Sequence, residues 1–180
     1  MPPIPAPLAA LLAATGLLAA WTDWRRRRIP NWLTISALAL GIALQMALNG
    51  VSGAKASLAG AGVAFLVYLP LYLLRAVGGG DLKLMTAAGA IGGPSAWLFL
   101  FVLSCLVGGV VAITMVLAQG RLRRTLANVF LILRELAALR PPHRASSELD
   151  VKSESGLRLP RGVVIGLSIT VYVAALAFGR

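Results

Sequence analysis

Apolar residues run along the chain in long blocks separated by short polar clusters, with neither the period of two of a half-buried strand nor the narrow stripe of a surface helix. The blocks lie near 6–22, 32–49, 57–75, 82–93, 95–118 and 162–179. About 20 apolar residues carry a helix across a hydrocarbon core roughly 30 Å thick. The pattern therefore predicts an all-α, polytopic membrane protein with about six transmembrane helices. The fourth block is too short to cross alone and ends in Gly92-Gly93-Pro94, so it reads as a tilted, protein-surrounded helix or a re-entrant segment.

One stretch follows a different pattern. In 121–140, Leu122, Leu126, Val129, Leu133 and Leu136 recur at helical spacing with Arg residues elsewhere around the wheel, which predicts an amphipathic helix on the inner leaflet. Residues 141–160 are polar and rich in Pro and Ser and read as a loop, where the single histidine, His143, is solvated. Residues 1–180 then form one integral membrane domain, with 119–161 as a basic cytoplasmic loop.

Composition agrees: 58% of the 180 residues are hydrophobic and 13% charged. The net charge of +11 would suggest nucleic acid in a soluble protein, but no basic and aromatic surface pattern accompanies it. The cations sit between apolar blocks, where cytoplasmic loops meet anionic lipid headgroups. The first block follows an uncharged start and precedes the Arg run, the reverse of a secretory signal, so it reads as a retained helix with its N-terminus outside. That orientation leaves only Lys55 and Arg180 of the 17 basic residues outside. Trp21, Trp24 and Trp32 then share the cytoplasmic boundary as an aromatic belt. Cys105 is the one cysteine, so neither a disulfide nor a cysteine zinc site is available, and it reads as a small apolar residue within a helix.

Four of the six acids, Glu135, Glu148, Asp150 and Glu154, fall in the 119–161 segment. The other two, Asp23 and Asp81, lie at the cytoplasmic ends of apolar blocks, where an ionisable group costs about 2.5–3.5 kcal/mol to insert and implies a function. Two carboxylates in one partly desolvated site resist double ionisation and share a proton. Aspartic proteases use that arrangement: one partner takes a proton from water while the other polarises the scissile carbonyl. Each acid also has a plainer role open to it, Asp23 as a neutraliser of the adjacent Arg run and Asp81 as a helix N-terminal cap. Gly78, Gly79 and Gly80 before Asp81 permit positive φ and close approach of another backbone, although glycine also serves as a packing device between membrane helices.

Two motifs resemble those of the type IV prepilin peptidases, a family of GxGD aspartic intramembrane peptidases. Asp23-Trp24-Arg25-Arg26-Arg27-Arg28-Ile29-Pro30-Asn31 is similar to the family's acid, basic residues and Ile-Pro-Asn turn, and Gly78-Gly79-Gly80-Asp81-Leu82-Lys83 fits GxGDxK. Leu159-Pro160-Arg161-Gly162 is similar to the entry into the family's last helix. The resemblance implies that Asp23 and Asp81 are catalytic, with Gly78, Gly80 and Lys83 as motif residues in support. Lys83 also reads as a snorkelling interfacial cation, and Pro30 and Asn31 read as shaping the turn into the second helix. It further implies pilin-like precursors as partners, cut after a short basic leader at the cytoplasmic face of a bacterial inner membrane, with no cofactor or metal. The short, cysteine-free first loop is unlike that of the longer, methylating members and resembles the small peptidases of tight-adherence (Flp) pilus systems. The rival reading is a non-enzymatic transporter or assembly subunit that uses Asp23 and Asp81 as an ion or proton site.

Overall fold

The stripe Leu8, Leu12, Thr15, Gly16, Ala19 and Asp23 recurs every three or four residues and is the buried face of the first helix. In the computed structural model, which describes residues 4–118 and 161–178, that helix is α1 (Ala6–Arg26). It is followed by α2 (Asn31–Leu73), α3 (Gly79–Ala118) and α4 (Arg161–Phe178). The described residues are all-helical, without a strand. The amphipathic helix expected over 121–140, the loop 141–160 and His143 lie outside the described residues.

The expectation of six separate spans is not what the described residues give. They form four helices, and three of these, α1, α2 and α3, are long and apolar enough to cross a membrane. The reason is local: where the sequence suggested loops, a single glycine with non-helical torsions joins two helical stretches. Gly50 (φ 61°, ψ −146°) interrupts α2, and Gly93 (φ 74°, ψ 178°) interrupts α3. Both conformations are open to glycine and strained for other residues.

Each interruption reverses the chain. Gly41, Gln45, Ser57 and Gly60 all meet the stretch 89–93 of α3, although Gly41 and Gly60 would lie nearly 30 Å apart on a straight helix. Asp81 and Gly108 line one cavity, although an unbroken helix would hold them about 40 Å apart. The two hairpins interlock most closely where Gly60 and Gly89 set backbone against backbone. The short stretch expected to be protein-surrounded is so: Leu84, Met85, Ala87, Ala88, Ala90 and Ile91 are all buried.

Breaking α3 frees carbonyls that lipid cannot satisfy. Pro94 has no N–H to offer Ala90, and the Ser57 hydroxyl donates to the Ala90 carbonyl instead at 2.7 Å. The Gln45 amide donates to the Ile91 carbonyl at 2.9 Å. Ser57→Ala is therefore expected to cost about 1–3 kcal/mol by orphaning a buried carbonyl. The check is the thermal midpoint in detergent; an unchanged value would mean that Ala90 has another donor.

α4 packs on α1 through small residues. A Cβ at Gly16 would stand 2.8 Å from Ile169, and one at Gly166 would stand 2.5 Å from the Gly16 carbonyl oxygen. This close crossing presses the first turns of α4 against the last turn of α1, where Asp23 lies.

Candidate active site

Asp23 occupies the next position of the buried α1 stripe, one turn after Ala19, and is only 9% exposed among exposed Trp24 and Arg25. The helix runs four residues beyond the expected end at 22, so Asp23 lies in its last turn. Arg27, left-handed at φ 50°, stops the helix and donates its N–H to the Asp23 carbonyl at 2.8 Å. The Asp23 carboxylate faces α4: its Oδ2 accepts the Gly162 N–H at 2.9 Å. A Cβ at Gly162 would come within 2.8–2.9 Å of the Asp23 Cβ, Cγ and Oδ2, so only glycine permits this approach.

Asp81 is in the first turn of α3 and 8% exposed. Its Oδ2 accepts the Gly78 N–H at 3.2 Å, a carboxylate on the positive end of its own helix. The expected use of Gly78, Gly79 and Gly80 for positive φ is not observed, since the positive-φ glycines among the described residues are Gly50 and Gly93. Close approach is what Gly80 supplies, because a Cβ there would stand 3.3 Å from Ile29. The neighbour is a side chain, where a backbone was expected.

The two sequence motifs therefore meet. Ile29 lies against Gly80, and the exposed Lys83 Nζ donates to the Asn31 Oδ1 at 2.9 Å. Pro30, extended at φ −71° and ψ 142°, leads into α2 at Asn31. Lys83→Met and Asn31→Ala remove the same hydrogen bond, worth about 1 kcal/mol. Each is expected to lower the thermal midpoint by about 2–4 °C, and the double variant by no more than the larger single effect. Additive losses in that cycle would show that the two side chains stabilise the protein independently.

Asp81 also forms part of the wall of a cavity of about 240 Å³, together with Tyr68, Val77, Ser104, Cys105, Gly108, Val164 and Ile165. The first turns of α4 thus connect the acids: Gly162 binds Asp23, while Val164 and Ile165 face the cavity beside Asp81. Sequence reasoning missed Tyr68, Ser104 and Cys105. The signal for Cys105 was its position as far after Gly93 as Asp81 is before it, which a hairpin brings to one level. Among the described residues, no three His, Cys, Asp or Glu side chains gather as metal ligands would.

Two buried acids at helix ends, preceding the Ile-Pro-Asn turn and following the Gly-rich turn, thus both border the first turns of α4, Asp81 beside an apolar space. No match was found among curated proteins or among solved structures. The model of the type IV leader peptidase family matches residues 10–113, which contain both motifs and both acids and make up more than half of the chain. The chain belongs to the type IV leader peptidase family.

Proposed function

We propose that the protein is an aspartic endopeptidase that removes the short basic leader from pilin-like precursors at the cytoplasmic face of the bacterial inner membrane, in pilus assembly or secretion. The observation that carries this reading is the convergence of two buried carboxylates, Asp23 and Asp81, on the first turns of α4. In the reaction, one carboxylate takes a proton from water, and the water oxygen attacks the scissile carbonyl carbon. The other carboxyl gives its proton to the carbonyl oxygen, forming a tetrahedral diol. Breakdown of the diol breaks the C–N bond, passes a proton to the departing amine and returns the dyad to its singly protonated form. Gly78 gives room beside the Asp81 carboxylate and Gly80 gives room to Ile29, and Lys83 with Pro30 and Asn31 holds the two motif turns together. Neither metal nor cofactor enters the reaction.

The chain reversals at Gly50 and Gly93 support counting α2 and α3 as two crossings each, so that with α1 and α4 residues 1–180 form one six-span domain. An N-terminus outside then sets Asp23, Asp81 and the start of α4 at one cytoplasmic level, which suits a leader that never crosses the membrane. The test is co-expression with a pilin-like precursor and mass spectrometry of its N-terminus. Wild type is expected to shorten the precursor, and a variant with both Asp23→Asn and Asp81→Asn, present in membranes at equal amount, is expected to leave it intact. Failure of the wild type to cut any such precursor would favour an ion or proton site, read as proton uptake in proteoliposomes.

A further inference from the structure

Water is a poor filling for the cavity beside Asp81. At about 240 Å³ the space exceeds the roughly 150 Å³ that accommodates benzene in an apolar protein interior. Its walls are mostly apolar, and two of its polar side chains are already engaged. Ser104 donates its hydroxyl to the Phe101 carbonyl at 2.8 Å, and the Asp81 Oδ2 accepts the Gly78 N–H. A buried water needs two to four polar partners, which these walls supply sparsely. Left empty, the same walls forfeit dispersion contacts on one side. The Tyr68 ring, held edge-on to Phe101 and Trp97 with centroids 5.9 and 6.5 Å away, is a rigid part of that wall and cannot simply fold inward.

Where the cavity opens decides what fills it. Cys105 belongs to the wall and is exposed, so the cavity reaches the surface of the molecule there. Along α3, Val102, Leu106 and Val110 are exposed on either side of that opening, in a helix apolar enough to cross a membrane. The medium at the mouth is therefore hydrocarbon. A hydrocarbon chain that enters exchanges one apolar surrounding for another, gives up no hydrogen bond, and restores the contacts the empty walls lack. We infer that the cavity is a binding site for one acyl chain of a bilayer lipid, which enters past Cys105 and Gly108. Gly108 keeps the way open. A Cβ there would stand 3.4 Å from the Val164 Cγ1, an ordinary contact, so alanine fits and a branched side chain occupies the space. The chain lies beside Asp81, and hydrocarbon and water compete for the side of that carboxyl that faces the cavity. The inference rests on α3 crossing a membrane and not on the peptidase reading.

The test places the full chain in phosphatidylcholine vesicles that contain phosphatidylcholine with a photoactivated diazirine in the middle of one acyl chain, and maps the adducts by peptide mass spectrometry. Tyr68 and Ser104 line the cavity but are buried, so a lipid that only lies against the outer surface does not reach them. Adducts are expected on Tyr68 and Ser104 as well as on exposed Leu106, and not on Leu84, which is buried and does not line the cavity. The same lipid with its diazirine on the headgroup is expected to label neither Tyr68 nor Ser104. Gly108→Val is expected to lose the Tyr68 and Ser104 adducts and keep those on Leu106. Adducts confined to exposed residues, equal labelling of Leu84, or labelling of Tyr68 and Ser104 by the headgroup probe each overturns the acyl-chain site. So do unchanged Tyr68 and Ser104 adducts in Gly108→Val. The comparison of the two probes uses the wild-type protein alone and decides the matter even where Gly108→Val fails to fold.

Discussion

Asn in place of Asp81, or in place of Asp23, is expected to lower kcat for precursor cleavage by about 10²–10⁴-fold, with the double variant no slower than the slower single. The reasoning is steric as well as chemical. Asn keeps the shape of Asp and an acceptor oxygen, so Gly78 and Gly162 can still donate at the positions found for Asp81 and Asp23. Fold and helix ends should therefore survive, and the loss should appear in kcat. Two groups that exchange one proton in a single step act as a unit, and removing the second after the first then costs little more. Initial rates with purified protein in detergent, with thermal midpoints measured alongside, give the cycle. Losses that multiply in the double variant would mean that the acids act separately. A single variant that stays within a few-fold of wild type would leave that acid with its plainer role, the α4 contact for Asp23 or the α3 N-terminus for Asp81.

Much of this site was legible because acids are rare in apolar blocks. Asp23 and Asp81 stood out by that rarity alone, and the register of Leu8, Leu12 and Ala19 continues to Asp23, so its burial was also written in the pattern. The spacing of GxGDxK and Ile-Pro-Asn could not say that Lys83 reaches Asn31 or that Ile29 fills the space beside Gly80, since both contacts depend on how α2 and α3 pack. The reversals were half legible. Gly93-Pro94 announced a break, whereas the gap between the blocks 32–49 and 57–75 suggested a loop where α2 in fact resumes directly after Gly50. Hydropathy records where a chain is apolar, and one glycine turning a helix back on itself leaves almost no trace in it. Cys105 shows the same limit: its apolar neighbours described its helix correctly and said nothing of the cavity on one side of it.

The largest effect expected away from the acids themselves is at Gly162, which lies beyond the stretch matched by the family model. Gly162→Ala places a methyl group within 2.8–2.9 Å of three Asp23 side-chain atoms, and the clash can be relieved only by moving the carboxylate or withdrawing the start of α4. Overpacking of this kind costs about 1–3 kcal/mol, and a displacement near 1 Å at a reacting group lowers turnover by about 10²-fold. The expected result is a folded protein with kcat down by about that factor and a modest fall in thermal midpoint. Gly166→Ala separates the two causes. It meets an equally tight wall, the Gly16 carbonyl at 2.5 Å and the Ala20 Cβ at 2.7 Å, but one turn further from the carboxylate. It should destabilise the α1–α4 crossing at least as much while lowering kcat far less. If both variants lose activity in proportion to stability, α4 only braces α1. If Gly162→Ala alone loses turnover, the close approach of Gly162 is what holds the Asp23 carboxylate in its working position.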